Sequence, residues 1–403
     1  MVIISRRESK TIEEIHKWIF LYGRRKTGKT FLIKNFVKFD EYFFVKRDRT
    51  IIDKKEISYE TLKELIKEYT KSNKTIVIDE FHRLGEDFLD FLHSVGRGGK
   101  IILVSSTLNL SKNLLAGKSP LLGLMAEISL GIIPLNSCIK EISKLGFSKK
   151  DALELAIFCR EPLLIEYLNK GKKAREIIKE ILVTTKHTVP ALVGEIFLEE
   201  EKNISKVYEG ILRAISIRKR KAGEIANYLF SRRLIEKESS AMIQQYLKNL
   251  VDFGIIRRIL IYNKKDYIYE LVSPLMKAYF YSDEKYNFSE EATAEKAEII
   301  LNELMPRIVE DNVREFLAEK HGLTEAIIES KDFEVDGCLL KFNKPEIALE
   351  VKWGKLEAKD IKEIEEKLTK VQAKRKILFV QNKENIDLNI DSKLEVLDID
   401  DFV

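Results

Sequence analysis

The eight residues Gly23-Arg24-Arg25-Lys26-Thr27-Gly28-Lys29-Thr30 have the spacing G-x4-G-K-[ST], after an apolar run from Trp18 to Tyr22 and before an amphipathic stretch. A strand, a glycine loop and a helix in that order turn the backbone tightly, so that its N–H groups and the helix N-terminus face a chain of phosphates. Lys29 would then reach the β- and γ-phosphates, and Thr30 would offer its hydroxyl to Mg2+. The run "TIVIDEF" closes a buried strand on Asp79-Glu80. There Asp79 can hold Mg2+ through water, and Glu80 can activate the attacking water. "KIILVSST" is a further apolar strand, and Ser106 at its polar end either senses the γ-phosphate or simply starts a loop. The expected nucleotide contacts are residues 23–30, Asp79 and Ser106, with Lys29 and Glu80 as catalytic groups.

A second constellation lies far downstream, in "FEVDGCLL" and "IALEVKW". Glu350 and Lys352 are two apart on one strand, so both side chains point to one face while Val351 points to the core. With Asp336 on a neighbouring antiparallel strand, two carboxylates can bind Mg2+, and Lys352 can orient or help deprotonate a water for attack on a phosphodiester. The alternative is a structural salt bridge at a strand end. This spacing resembles the PD-(D/E)XK nuclease superfamily, in which a preceding helix often adds an acid. Here "PRIVEDNVREFLAEKHG" offers Glu310, with Asp311 and Glu315 less well placed, and Val335 stands where the superfamily has its proline. Glu334 is either a second ligand or a solvent neighbour.

Four segments must position these groups. Residues 17–135 alternate short apolar runs with amphipathic stretches, the rhythm of βαβ units and a parallel sheet. Residues 136–203 read as a helical lid. Residues 204–285 give three helices, "SKVYEGILRAIS", "AGEIANYLF" and "SSAMIQQYLKNLVDFG", then two strands round an Asn-Lys-Lys turn, the order of a winged helix-turn-helix. The cations Arg218-Lys219-Arg220-Lys221, Arg232-Arg233 and Arg257-Arg258 lie beside these helices, as phosphate contacts would, or else form a solvated face. Gln244 and Gln245 either reach base edges or are ordinary helix-surface residues. Residues 286–403 read as helix, two strands, helix, two strands, a separate α/β unit. The expected fold is α/β and multidomain, with divisions at 1–135, 136–203, 204–285 and 286–403.

Composition removes several classes. A net charge of +5 against 70 basic and 65 acidic side chains leaves nucleic-acid affinity to local patches. Cys138, Cys159 and Cys338 lie far apart with no CxxC pair, and the five histidines form no ligand cluster, which argues against a disulfide framework or a zinc site. The N-terminus meets charges after four apolar residues and the longest apolar stretch is broken by Glu127, so a soluble cytoplasmic protein without membrane contact is expected.

The chain also resembles the archaeal-type ATPase family within the P-loop AAA+/STAND class, on "GRRKTGKT", "VIDEF", the serine pair after the next strand, and "SPLLGLMAEISLGIIPL". Where the family usually has Gly-Arg, this chain has Gly123-Leu124, and its Gly-x-Pro segment in the lid becomes Arg160-Glu161-Pro162. The resemblance implies ATP and Mg2+ as cofactors, with Mn2+ a further metal for the nuclease-like site. It implies DNA as a partner, together with a second copy or another protein. Two functions are open at this point. One is an ATPase whose nucleotide state controls DNA engagement or metal-dependent cleavage, and the other a STAND-like switch whose C-terminal domain is an inactive binding platform.

Overall fold

The computed structural model describes residues 2–85, 87–96, 98–108, 123–200, 205–329, 333–386 and 393–402. The N-terminal part runs α1 (Arg7–Glu14), β1 (Trp18–Tyr22), α2 (Lys29–Phe36), β2 (Glu41–Val45), β3 (Ile51–Ile52), β4 (Glu56–Ile57), α3 (Tyr59–Lys71), β5 (Thr75–Asp79), α4 (Asp87–Val95), β6 (Lys100–Ser105) and β7 (Met125–Ser129). Its sheet has the order β4-β3-β2-β5-β6-β1-β7. From β2 to β7 the strands are parallel, as the βαβ rhythm implies, while β3 and β4 add an antiparallel edge that the rhythm does not reveal. The central strands are apolar on both faces because helices cover both. Ile19, Leu21, Val77 and Ile102 pack towards α1 and α2, and Phe20, Ile76, Ile78 and Leu103 towards α3 and α4.

The middle follows as α5 (Leu135–Ser143), α6 (Lys149–Phe158), α7 (Ala174–Thr184), α8 (Thr188–Glu199), α9 (Lys206–Ser216), α10 (Ala222–Ser231), α11 (Ser240–Asp252), β8 (Ile256–Ile261), β9 (Tyr267–Leu271) and α12 (Pro274–Tyr286). The last part is α13 (Ala294–His321), β10 (Ala326–Glu329), β11 (Glu334–Val335), β12 (Gly337–Lys341), β13 (Lys344–Lys352), α14 (Ala358–Thr369), β14 (Arg375–Val380) and β15 (Leu394–Leu397). Side-chain caps set several helix starts. Ser58, Ser148, Ser273 and Thr293 each accept the backbone N–H three residues on, which satisfies a donor the helix leaves unpaired.

Two features tie the middle to the C-terminal part more closely than the segment reading suggests. Strand β10, which sequence reading misses, pairs in parallel with β8, so the β8–β9 ribbon continues into β10 and β11 as one sheet. A single apolar cluster also runs from α5–α8 through α9–α13 to one face of β12–β14, with Leu339, Ile347, Leu349 and Phe379 as its far members. Residues 136–403 therefore share a core across the positions 203 and 285. The other face of β12–β14 packs on α14 through Ile364 and Leu368. Among the described residues no single helix is long and apolar enough to cross a membrane; α7 and α8 reach that length and composition only as a pair bent by 60°.

Candidate nucleotide site and C-terminal carboxylate site

β1 delivers the chain into the loop at Gly23, where a Cβ would lie 2.1 Å from the carbonyl oxygen of Leu130, so no other residue fits. Gly28 caps α2 in the left-handed region at φ +87°. Lys29, the first residue of α2, folds back over the loop and donates to the carbonyls of Gly23 at 2.8 Å and Arg24 at 2.9 Å. Burial pushes its amine down to about 8, against the pull of Glu80 and Asp79. A buried ammonium held only by neutral carbonyls is a site prepared for an anion.

Strand β6 lies between β1 and β5, so its C-terminal end falls between the glycine loop and the acids of β5. That order explains why Ser106, distant in sequence from both, donates to Glu80 Oε2 at 2.8 Å. Asp79 is 1% exposed, and its Oδ2 accepts from Thr30 Oγ1 at 2.7 Å and Tyr42 Oη at 2.6 Å. Its Oδ1 is buried with no hydrogen-bond partner. A buried carboxylate oxygen left open beside a threonine hydroxyl fits a magnesium ion, which takes one or two carboxylates and substrate phosphates.

A cavity of about 860 Å3 opens over this corner. Its lining combines residues 25–30, Glu80, Arg83 and Ser106 with the apolar side chains of Ile3, Ile4, Ile133, Pro162 and Leu163. Polar phosphate groups and a flat base need such a mixed lining. Gly23, Arg24 and Asp79 do not line the cavity. The guanidinium of Arg24, expected as a nucleotide contact, turns away to Glu161 at 2.5 Å, and Arg25 bonds Glu195 at 2.7 Å. Leu124 does not line the cavity either; it packs against the apolar cluster that contains Phe20 and Phe81. Residues 119–122 of the segment that carried part of the resemblance lie outside the described residues.

Sequence reading misses three contributors. Arg6 is buried and donates to the carbonyls of Thr27 and Gly131, both at 3.1 Å, which ties the N-terminal segment to the loop. Tyr42 holds Asp79, and Pro162 walls the cavity beside Gly28. None belongs to a local motif, although the alteration at 160–162 marks the right place.

In the C-terminal part β12 and β13 are antiparallel, as expected, with Gly337 opposite Leu349. Asp336 precedes β12 and accepts from the Val351 N–H at 2.9 Å. Glu350 is 1% exposed and held by Lys352 at 2.8 Å and by Lys367 of α14 at 2.7 Å. Glu310 on α13 joins them electrostatically. Burial, then Asp336, pushes its carboxyl up to about 8, and burial, then Glu350, raises Asp336 to about 6. Burial works to lower the Lys352 amine, but its bond to Glu350 together with the charges of Glu350, Asp336 and Glu310 outweighs this and leaves it above its usual value. No group of three or more potential metal ligands comes together among the described residues. Glu334 is exposed, and Asp311 and Glu315 belong to another network.

That network changes the reading of the basic residues. Arg220 bonds Glu270 at 3.0 Å, Lys221 bonds Glu329, Arg232 bonds Glu284 at 2.5 Å, and Arg218 lies 3.5 Å from Glu310. Arg257 meets Glu325 at 2.8 Å, Glu270 at 3.2 Å and Glu315 at 3.3 Å. These cations, expected to face phosphates, are committed to carboxylates of the same chain. Lys219, Arg233 and Arg258 stay exposed, and Arg258 lies 5.3 Å from the ring centroid of Tyr267. Gln244 and Gln245 are exposed, and Gln245 bonds Asn249. The ion pairs form a path. Arg160, next to Glu161, grips Glu315 at 2.6 and 2.9 Å; Arg257 continues to Glu325; and the fully buried Arg314 joins Glu325 at 2.8 Å, Glu270 at 2.6 Å and the carbonyl of Asp336 at 3.0 Å.

Residues 15–134 match the family model described as AAA domain. With the glycine loop, Asp79-Glu80 and the sheet order, this defines an AAA-type P-loop ATPase domain. No curated protein matches the chain in sequence. Among solved structures it is similar to the ORC2 protein of Aeropyrum pernix in its ADPNP-ADP complexes, at 12% identity and TM-score 0.38, covering 76% of this chain and 94% of that one. It is also similar to the ORC1 protein of Aeropyrum pernix in complex with DNA, at 14% identity and TM-score 0.29, covering 72% of this chain and 87% of that one. Cdc6p from Pyrobaculum aerophilum matches at 13% identity and TM-score 0.25, covering 71% of this chain and 87% of that one.

Proposed function

We propose that the chain is an ATP-hydrolysing, DNA-interacting protein in which the nucleotide state of residues 1–203 governs how residues 204–403 engage DNA. One observation carries this reading. The turn that walls the cavity with Pro162 and Leu163 also places Glu161 on Arg24 of the glycine loop and Arg160 on Glu315 of α13. A nucleotide that moves this turn shifts both ion pairs, and Glu315 leads on through Arg257 and Arg314 to Asp336. In the cavity Lys29 leaves its loop carbonyls for the phosphates, while Glu80 orients and deprotonates a water with Ser106 holding its far oxygen. Thr30 and Asp79 would hold Mg2+, which when bound offsets the negative charge of the phosphates.

The three helices α9–α11 with the β8–β9 ribbon supply a winged-helix order for DNA, with Lys219, Arg233 and Arg258 as the exposed cations. The test is binding of linear, single-stranded, branched and supercoiled DNA with ATP, with ADP and without nucleotide, using wild type, Lys29→Ala and Arg160→Met. DNA affinity that changes with nucleotide in wild type and not in Arg160→Met is expected. A protein that binds no DNA in any nucleotide state would sink the reading.

A second reading, metal-dependent phosphodiester cleavage at Asp336, Glu350 and Glu310 with Lys352, is favoured by the elevated carboxyls of Glu310 and Asp336, since a divalent cation would replace their protons. It requires the ion to displace Lys367 from Glu350. Cleavage with Mg2+ or Mn2+ that disappears in Lys352→Ala supports it. With no cleavage, residues 286–403 act as the binding platform of a STAND-like switch.

A further inference from the structure

We propose that Arg83 supplies, from the same chain, the positive charge that stabilises the γ-phosphoryl group as it separates from ADP, so that hydrolysis needs no arginine from a neighbouring copy. The inference rests on the ATP-hydrolysing reading above. Its starting point is the turn of 3-10 helix at Phe81–Leu84 that follows Asp79-Glu80 directly. Glu80 at φ 59° and Gly85 at φ 96° flank this turn, both with positive φ. A non-glycine residue in the left-handed region is costly, and such cost collects where geometry serves function.

Arg83 lines the cavity together with Lys29, Thr30, Glu80 and Ser106. Its side chain is 11% exposed. Nη1 donates to the carbonyl of Val45 at 2.8 Å, and Nη2 lies 3.4 Å from Glu80 Oε2. The guanidinium carbon sits 6.0 Å from the centroid of Phe44. The group is thus a preorganised cation on the same side of the cavity as the acid that activates water. Arg6, Lys26 and Arg47 also line the cavity, and Arg6 is engaged with the carbonyls of Thr27 and Gly131. Lys29 belongs to the cradle, Arg25 is drawn to Glu195, and Lys46 leans on the exposed Glu56. Leu124 lies with the apolar cluster and brings no charge.

In the step itself the water oxygen bonds to the γ-phosphorus while the bond from that phosphorus to the β,γ-bridging oxygen breaks. The water proton passes to Glu80 and then to the released phosphate, and the electron pair of the broken bond stays on ADP. Negative charge grows on the bridging and equatorial oxygens, and a fixed guanidinium beside them lowers the barrier without reorganisation.

The test is steady-state ATP turnover across a wide range of protein concentration for wild type, Arg83→Ala, Arg83→Lys and Arg83→Gln, with Lys29→Ala as background. Binding of ADP alone and of ADP with aluminium fluoride is measured in parallel. Wild-type specific activity should be independent of protein concentration. Arg83→Ala should lower kcat by about 10^3-fold with KM and ADP affinity within about threefold, and Arg83→Lys should recover part of the loss. The aluminium fluoride complex should weaken with kcat, an effect that a purely structural arginine would not have. Arg83→Gln, which can still donate to Val45, should resemble Arg83→Ala in rate and wild type in stability. Turnover within about threefold of wild type in Arg83→Ala overturns the proposal, as does equal weakening of ADP and its fluoride complex, or activity that climbs steeply with concentration. Wild-type turnover no higher than Lys29→Ala would overturn the ATPase reading with it.

Discussion

The nucleotide site and the C-terminal carboxylate site use similar residues, acids near the end of a buried strand together with a lysine, and they handle the charges in opposite ways. At the glycine loop Lys29 and Asp79 are left without a charged partner in hydrogen-bond contact. Lys29 bonds only neutral carbonyls and is pushed down to about 8, and Asp79 keeps a buried oxygen with no partner. In the C-terminal part Glu350 is gripped by two lysines, and Glu310 and Asp336 are pushed towards their protonated forms. The first site is built at a cost that only a bound anion and cation recover, whereas the second has neutralised itself. Buried charge that the chain does not satisfy marks a ligand site more clearly than the residue types do.

The comparison can be broken most directly at Lys29. Lys29→Ala should cut ATP turnover by at least about 10^3-fold while leaving the melting temperature unchanged or higher, because it removes a buried amine whose charge burial disfavours. A large loss of stability would show instead that Lys29 is a structural strut. Next in size is Arg314→Leu, which strands Glu270, Glu325 and Asp311 without their common cation. Chemical denaturation should report a loss of about 3–5 kcal/mol, and a loss under about 1 kcal/mol would mean that the network carries no net charge penalty.

Glu310 sharpens the contrast through pH. Its folded carboxyl is raised to about 8 and the unfolded one lies near the ordinary glutamate value, so the folded state holds the extra proton between them. Stability from this group is complete below the unfolded pKa and is lost as pH rises towards 8, with a slope of up to about 1.4 kcal/mol per pH unit. Thermal melts from pH 5 to 8 should therefore fall more steeply in wild type than in Glu310→Gln, and added Mg2+ should remove the difference only if the cluster binds metal. The smallest expected effect is at the ribbon. Arg258→Ala should weaken DNA binding and lower the salt slope by about one, whereas Arg220→Ala, which leaves Glu270 one partner fewer, should leave the slope unchanged and cost stability.

Much of the first site was legible before any coordinates. The glycine spacing, Asp79-Glu80 and the serines after β6 are local patterns, and the βαβ rhythm marked the parallel sheet that carries them. Asp336 and Glu350-Val351-Lys352 were likewise readable as neighbours, although Asp336 lies just before β12 and not on it. What remained hidden depends on pairs that no window of sequence contains. Arg24 meets Glu161 across 137 residues, and Arg160 meets Glu315 across 155. The same holds for the basic residues of 218–258. Their spacing suggests a phosphate-binding face, yet carboxylates from β9, β10, α12 and the stretch before β10 neutralise four of them, and Arg218 lies against Glu310 of α13. The sequence by itself determined which residues can bind a phosphate or a metal, because backbone spacing and strand period are local properties. Only the tertiary structure decided which charges are free to do so, because burial and long-range pairing set the electrostatic cost of leaving each one uncompensated.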